Sequence, residues 1–466
     1  MKPDISKLMH SVTHPLTRQS SAMLLLRVAS FGIAFLYGIL LARVLGAAGM
    51  GILTLARTAA SFTGTVGRVG FNNLLLRQTA VYRARGNLAA LRGLIRRGDQ
   101  ITLGVSLLAC LTAFGLAWII AEEQRSLFLT VLAIVLAGVP IWNLATLRQA
   151  VIRGGMRAVT GHLPELITQP ALACSAFAAW FFFFPHIHTP IAAAMIVLGT
   201  QTAGLVHASI LRGEAVSPAV KPIYQTREWV AASLPMMSLG GLMLTNQLVD
   251  QFIIAGWCPH AEIGRYSVAA RVASVVAFFP MAAGASLTPR FAAMYAEGKR
   301  KVLQRLLTVS TRIVFVASLL FALILIGARQ PILSLFGPEF VSASGVLVLL
   351  SLGFVLHAGF GPVGVLLVMA GQERISLVWM IIASVLNVIL DLALIPRFGI
   401  VGAAAATVAT AAMSRTILTI VARKRLGLAS HVFGFHGANL DGPEPTEGGD
   451  TPSGDMASSR ERTVED

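Results

Sequence analysis

The chain has 466 residues, of which 55% are hydrophobic and 12% are charged, and its mean hydropathy is +0.74. Soluble domains carry about 25% charged residues, so this composition excludes an ordinary soluble enzyme or binding module. The formal net charge of +16 would suit a nucleic-acid partner, but the positions of the basic residues argue against one.

Apolar stretches long enough to cross a hydrocarbon core of about 30 Å recur along the chain. We predict about twelve transmembrane helices, the first of which is retained rather than cleaved as a signal peptide. The predicted spans are 20–42, 49–75, 99–121, 126–147, 163–184, 189–211, 229–257, 264–289, 306–328, 341–369, 376–396 and 399–422. The predicted fold class is an all-α polytopic membrane protein.

Lysine and arginine residues concentrate in alternate loops between these spans. The predicted cytoplasmic loops hold most of them, including Arg83, Arg85, Arg92, Arg96 and Arg97. The outward loops are short and hold few, which follows the positive-inside rule and places both termini in the cytoplasm. The basic loops orient the protein and require no nucleic acid.

The predicted helices divide into two halves. We expect a six-helix N-terminal lobe over residues 1–213, a cytoplasmic linker over 214–228 and a six-helix C-terminal lobe over 229–428. From about Ala429 the chain becomes polar, acidic and rich in Gly, Pro and Ser. We therefore expect residues 429–466 to form a disordered and dispensable cytoplasmic tail.

The two halves look related. An ungapped alignment of Gly51 with Gly264 also matches an RxxAxY sequence ending at Tyr82 with the same sequence ending at Tyr295. Parallel repeats about an axis along the membrane normal recur in transporters, which place the cargo site between the halves. The repeat predicts two pseudo-symmetric lobes.

No enzyme signature is present in the sequence. It contains no GxxxxGK[ST], GxSxG or HExxH motif, so we predict that the protein is not an enzyme. His186 and His188 form an HxH pair in an outward loop, but two histidines are too few for a metal site. We predict no metal and no cofactor other than a possible coupling ion.

Arginines inside the predicted helices are the informative residues. Such an arginine costs roughly 2.5–3.5 kcal/mol on insertion scales, so it should face a cavity or a partner. Arg27 lies in helix one, Arg57 and Arg68 lie in helix two, and Arg271 lies in helix eight. The spacing of Arg57, Ser61 and Arg68 puts them on one helical face.

Arg271 enters helix eight at nearly the depth at which Arg57 enters helix two, and Ser274 follows it by one turn. Two related helices would then present guanidinium groups to one central space. The planar donor fork of guanidinium suits a phosphate or diphosphate group. We predict a substrate-binding anion site there, which would repel a cationic drug.

Two acids, Asp250 and Asp391, are well placed inside helices. Two carboxylates cannot neutralise four or more arginines, so a net positive interior remains even if both are paired. The favoured interpretation is that each is a buried counter-ion to an arginine. The alternative is that they bind a proton or a sodium ion that couples transport.

The chain resembles the polysaccharide-export flippases of the MOP (multidrug/oligosaccharidyl-lipid/polysaccharide) exporter superfamily. The motifs that carry the resemblance are LLARVLGAAGMGILTLARTAASF, LVDQFIIAGWCPHAEIGRYSVAARVAS, LFGPEF and LNVILDLALIPRFGIVGAAAAT. The resemblance covers roughly residues 20–425. It implies a V-shaped, two-lobed exporter that works by alternating access.

The implied cargo is an undecaprenyl-diphosphate-linked oligosaccharide, which moves from the cytoplasmic to the periplasmic leaflet of a bacterial inner membrane. A polysaccharide polymerase and a chain-length regulator are implied partners. The resemblance places Arg27, Arg57 and Arg271 in helices that form a cationic cavity in related flippases. Gln251, where many relatives carry a basic residue, leaves the pairing of Asp250 open.

Three other functions compete with this one. They are a drug/cation antiporter of the same superfamily, a membrane enzyme of polysaccharide assembly, and a scaffold that transports nothing. The arginine-rich interior disfavours the antiporter and the scaffold, and the short outward loops disfavour the enzyme.

Overall fold

A computed structural model describes residues 5–120, 125–183, 189–213 and 220–434. The helices are α1 Ile5–Arg68, α2 Phe71–Ala84, α3 Leu88–Ile120, α4 Arg125–Gly154, α5 Ala158–Leu163, α6 Gln169–Phe183, α7 Pro190–Arg212, α8 Thr226–Trp257, α9 His260–Ala273, α10 Phe278–Ala296, α11 Arg300–Gly327, α12 Arg329–Ser334, α13 Ser344–Phe360, α14 Val363–Met369 and α15 Glu373–Leu426. All regular structure in these ranges is helical, and nine helical segments are long and apolar enough to span a membrane. The predicted all-α polytopic fold is confirmed, while the count of twelve crossings stays a prediction.

Two of the nine segments are too long for a single crossing. Leu25–Arg68 has 44 residues and Arg374–Leu426 has 53. A helix of 44 residues extends about 66 Å, twice the thickness of the hydrocarbon core. Each segment is interrupted at one glycine, Gly46 in α1 (φ 64°) and Gly399 in α15 (φ 56°). Since glycine adopts positive φ at little cost, the loops predicted at these places are reduced to single-residue breaks.

The core joins the two halves of the chain. In the N-terminal half α3, α4, α6 and α7 pack around α1 or one another, and in the C-terminal half α11, α13, α14 and α15 pack together. Helix α1 also packs across the halves against α8 and α9. The largest buried apolar cluster includes Tyr37 and Leu41 of α1 together with Val268 and Val272 of α9.

The connection between the halves is shorter than the predicted linker. Helix α7 ends at Arg212. Helix α8 begins at Thr226, which lies inside the predicted linker. Residues 214–219 lie outside the described residues. The segment that follows them packs on α3, where the Ile223 N–H donates to the Ala89 carbonyl at 3.1 Å.

Helices α1 and α9 cross at Gly51 and Gly264. A Cβ atom added to Gly51 would overlap the carbonyl oxygen of His260, and one added to Gly264 would overlap that of Ala47. Each carbonyl lies four residues before the glycine of its own helix, so the contact is symmetric. The repeat alignment matched these two glycines, and the structure places them in direct contact.

The symmetry continues one turn further along both helices. Thr54 and Ser267 each follow their glycine by three residues, and their hydroxyl oxygens lie 3.5 Å apart. The axis that relates the two halves therefore passes through the crossing of α1 and α9.

The chain beyond α15 folds back against α11. Ala429 and Ser430 are fully buried. The Gln304 amide nitrogen donates to the Ala429 carbonyl at 2.7 Å, and its amide oxygen accepts from the Ala429 N–H at 2.8 Å. The Thr311 hydroxyl donates to the Ser430 carbonyl at 3.1 Å. We call residues 428–434 the C-terminal strap.

The strap also binds the break between α13 and α14. The Ser430 hydroxyl donates to the Phe360 carbonyl at 2.9 Å, and the Val432 N–H donates to the Gly359 carbonyl at 3.0 Å. These carbonyls lie where α13 ends and would otherwise lack intrahelical partners. The prediction of a disordered tail from Ala429 is therefore wrong by at least six residues; residues 435–466 lie outside the described residues.

Replacement of Gly51 or Gly264 by alanine should lower the thermal unfolding midpoint of the detergent-solubilised protein. The added methyl group would overlap a backbone carbonyl, and overpacking costs about 1–3 kcal/mol. Gly104→Ala is the matched control, because no atom lies within 4 Å of its added Cβ. Equal midpoints for all three variants would contradict the crossing.

Truncation after Gly434 should leave folding and transport unchanged, whereas truncation after Gly427 should lower the unfolding midpoint. The shorter chain removes the Ala429 partner of the Gln304 amide oxygen and the Ser430 partner of the Thr311 hydroxyl, at about 1–3 kcal/mol for each group, whereas the Gln304 amide nitrogen keeps its bond to Thr308. Fluorescence-detected gel filtration after a temperature series would compare the two truncations. Identical profiles would show that the strap contributes nothing to stability.

Candidate functional site

Two of the predicted arginines meet against the first part of α1. Arg57 donates from Nη1 to the Tyr37 hydroxyl at 3.3 Å, and Arg271 donates from Nη1 to the Ala34 carbonyl at 3.2 Å. The Arg271 guanidinium lies over Gly38, where a side chain would collide with it. The two arginines are close enough to repel each other electrostatically. The structure brings this predicted pair together.

Ser61 and Ser274 follow these arginines by one turn and make matching hydrogen bonds. The Ser61 hydroxyl donates to the Arg57 carbonyl at 2.9 Å, and the Ser274 hydroxyl donates to the Arg271 carbonyl at 2.7 Å. Such bonds back into the preceding turn tend to bend a helix. Both serines thus use their hydrogen inside their own helix and offer a ligand only acceptor lone pairs.

No described acid neutralises the arginine pair. Within the described part of the chain, neither guanidinium contacts a carboxylate, and Arg57 is a charged neighbour of Arg271. Two like charges at short range repel strongly where the dielectric constant is low. A bound anion between Arg57 and Arg271 would relieve that repulsion.

Arg68 lies apart from this pair and binds within the N-terminal half. It donates to Asn143 Oδ1 and to the Thr65 hydroxyl, each at 3.0 Å, and stands 4.9 Å from the centre of the Trp142 ring. It lies roughly 16 Å along α1 from Arg57. These contacts join α1 to α4, so Arg68 supports the lobe structurally. Its role in substrate binding, predicted from the shared helical face, stays a prediction.

Arg27 lies earlier on α1 and is exposed. Its Nη1 atom lies 3.9 Å from the sulfur of Met281 on α10. The contact bridges the two halves without an acid. Its assignment to the site also stays a prediction.

The two predicted aspartates are buried close to each other, Asp250 on α8 and Asp391 on α15. Asp250 Oδ2 accepts from the Tyr266 hydroxyl at 2.6 Å and from the Thr407 hydroxyl at 3.3 Å. Asp250 Oδ1 and both Asp391 oxygens lack donors among the described residues. No described arginine pairs with either aspartate, so the structure does not support the favoured counter-ion interpretation.

The sequence analysis did not identify two tyrosines that bind charged residues of the candidate sites. Tyr37 binds Arg57, and Tyr266 binds Asp250. The chain has only five tyrosines, and these two stand inside apolar stretches. A buried tyrosine usually directs its hydroxyl to a partner, so both could have been identified as neighbours of charged groups.

No cluster of three or more His, Cys, Asp or Glu side chains that could hold a metal ion occurs within residues that the structure describes. His186 and His188, the histidine pair noted in the sequence, lie outside them.

Two family models match parts of the chain. Residues 16–295 match the family model described as polysaccharide biosynthesis protein, and residues 235–393 match the MatE model. The first match covers more than half of the chain. The chain belongs to the polysaccharide biosynthesis protein family. The expected membership of the MOP exporter superfamily is confirmed, and the protein is a multi-pass membrane protein.

Two curated relatives match part of the chain. The probable low-salt glycan biosynthesis flippase Agl15 of Haloferax volcanii is 27% identical over 182 residues, which are 39% of this chain and 38% of the relative. The uncharacterized membrane protein MJ1068 of Methanocaldococcus jannaschii is 31% identical over 148 residues, which are 30% of this chain and 28% of that protein. Each match spans less than two fifths of the relative.

Solved structures show the same fold over most of the chain. The lipid II flippase MurJ in an inward closed conformation superposes with a TM-score of 0.68 at 14% identity, covering 86% of this chain and 87% of MurJ. An inward-facing multidrug resistance MATE transporter of the MOP superfamily gives 0.62 at 16% identity, covering 86% and 94%. At these identities the likeness shows the fold alone, and it confirms the predicted V-shaped exporter fold.

Proposed function

We propose that the protein flips an undecaprenyl-diphosphate-linked oligosaccharide from the cytoplasmic to the periplasmic leaflet of a bacterial inner membrane, for lipopolysaccharide or exopolysaccharide synthesis. The observation that carries the proposal is the Arg57–Arg271 pair, which lies between the halves and contacts no acid among the residues that the structure describes. Membership of the polysaccharide biosynthesis family and the flippase name of one relative agree with this class of cargo.

The chemistry of the pair suits a diphosphate. Each guanidinium can donate two parallel hydrogen bonds to one phosphoryl group, so two arginines match two phosphoryl groups. A cationic drug would meet uncompensated positive charge, which disfavours the antiporter alternative. The polymerase and the chain-length regulator stay predicted partners.

Alternating access requires the contact between the halves to open on one side. In this conformation the halves touch at Gly51 and Gly264, just after the break at Gly46. Arg43 adds a hydrogen bond from Nε to the Leu335 carbonyl at 2.7 Å. These contacts lie at the predicted outward ends of the helices, so they hold the periplasmic side closed, and cargo release requires them to separate.

Asp250 and Asp391 are the proposed coupling site for a proton or a sodium ion. Their free carboxylate oxygens, together with the Thr407 hydroxyl, offer the hard oxygen ligands that an alkali cation prefers. Two buried carboxylates close to each other also favour uptake of one positive charge. A cation there would neutralise charge that no described arginine compensates.

Substitutions of the arginine pair test the proposed cargo site. Arg57→Ala and Arg271→Ala should each reduce flipping roughly 10–100-fold, because each removes charged hydrogen bonds worth about 1.5–3 kcal/mol. Lysine retains the positive charge but lacks the planar pair of guanidinium donors, so Arg57→Lys and Arg271→Lys should retain part of the flipping activity. Flipping would be measured as lipid-linked sugar that appears in the outer leaflet, normalised to protein abundance.

Arg68→Ala serves as the contrasting variant. It leaves the buried Asn143 oxygen without its donor, so it should lower protein abundance rather than flipping per molecule. Full flipping by the Arg57→Ala, Arg271→Ala double variant would refute the cargo site.

Substitution of the carboxylates tests coupling. Asp250→Asn and Asp391→Asn should abolish stimulation of transport by an imposed sodium or proton gradient, while binding of cargo persists. Proteoliposomes with one gradient at a time would identify the ion. Gradient-driven transport by the Asp250→Asn, Asp391→Asn double variant would disprove this assignment.

A further inference from the structure

A cavity of about 1050 Å³ lies in the C-terminal half, between α10, α11, α13, α14 and α15. Small-molecule sites typically measure about 300–1,000 Å³, so this one is large. Its lining is mostly apolar and includes Leu287, Phe291, Phe354, Val365 and Leu418. Neither Arg57 nor Arg271 is among the described residues that line this cavity.

One wall of the cavity carries positive charge. Arg415 of α15 lines it, and its guanidinium makes no hydrogen bond or ion pair with a described residue. His357 of α13 lines the same cavity, lies within electrostatic range of Arg415, and has a buried Nδ1 without a hydrogen-bond partner. The lining hydroxyls of Ser376 and Thr410 also lack partners. Buried polar groups normally have hydrogen-bond partners, so the polar groups of this wall indicate a ligand-binding site.

We infer that this cavity binds a lipid phosphate, with the phosphate group on Arg415 and the hydrocarbon chain along the apolar lining. An arginine inside a membrane protein is costly and normally has a partner or a functional role, and its positive charge would bind an anion. Inorganic phosphate alone would leave the apolar volume unfilled, and a neutral lipid would leave Arg415 unpaired. An isoprenoid phosphate and phosphatidic acid share the required chemistry.

Two residues that line the cavity have large exposed fractions, as access for a lipid requires. Val368 of α14 and Met281 of α10 line it and are 54% and 45% exposed. Met281 contacts Arg27, so this part of the cavity lies beside α1. The inference does not rest on the proposed cargo, because Arg415 belongs to the C-terminal half alone.

Binding of radiolabelled farnesyl phosphate to the full-length protein in nanodiscs tests the site. Arg415→Gln should raise Kd about tenfold or more, because it removes a charged donor fork. Gly284→Leu and Gly364→Leu should do the same, since both glycines line the cavity and face open space that leucine would fill. Gly104→Leu is the control, because its Cβ also meets no atom but lies outside the cavity.

Binding should persist in the Arg57→Ala, Arg271→Ala protein, which separates this site from the cargo site whether or not the cargo assignment holds. Competition by phosphatidic acid would identify a membrane phospholipid as the ligand, and resistance to it would identify an isoprenoid phosphate; both support the site. Farnesol or inorganic phosphate competing as well as farnesyl phosphate would overturn the inference. So would unchanged affinity in Arg415→Gln or in both leucine variants, each checked for wild-type elution on gel filtration.

Discussion

The close approach of Gly51 and Gly264 is the constraint on which the arrangement of the site depends. Because neither residue has a side chain, α1 and α9 cross backbone to backbone. Residues one or two turns further along each helix are thereby placed opposite one another. Arg57 and Arg271 follow their glycines by six and seven residues, so the crossing sets the distance between their guanidinium groups. A larger residue at either glycine would move the arginines apart together with the helices.

Helix α9 connects the positively and negatively charged groups of the two candidate sites. It carries Tyr266, which binds Asp250, and Arg271, which lies beside Arg57. These two α9 residues are five positions apart, about 7.5 Å along the helix. A cation that binds at Asp250 would alter its bond to Tyr266 and thereby the position of α9. The same helix carries Arg271, so the proposed cation site and the proposed cargo site would be coupled through α9.

Sequence reasoning succeeded where the repeat supplied geometry and failed where a partner came from elsewhere in the chain. The repeat placed Arg57 and Arg271 at similar depth, and the structure brings them together. Arg68 shares the face of Arg57, but Asn143 on α4 binds it, and nothing in the α1 sequence indicates that partner. The disordered tail was predicted to begin too early, at Ala429, because that prediction used composition alone. Gln304, Thr308 and Thr311 form a polar stripe on α11 at helical spacing, a signal that some segment must cover it.

The C-terminal strap has a consequence for the order of assembly. It follows α15 in the chain, so the ribosome makes it after every helix that it closes. Until then the polar stripe of α11 and the free carbonyls at the end of α13 lie open inside the newly inserted protein. Maturation of the C-terminal half is thus completed by a short peptide that docks after membrane insertion. A bulky fusion placed directly after Gly427 would interrupt this final step, although every membrane-spanning segment had already been inserted.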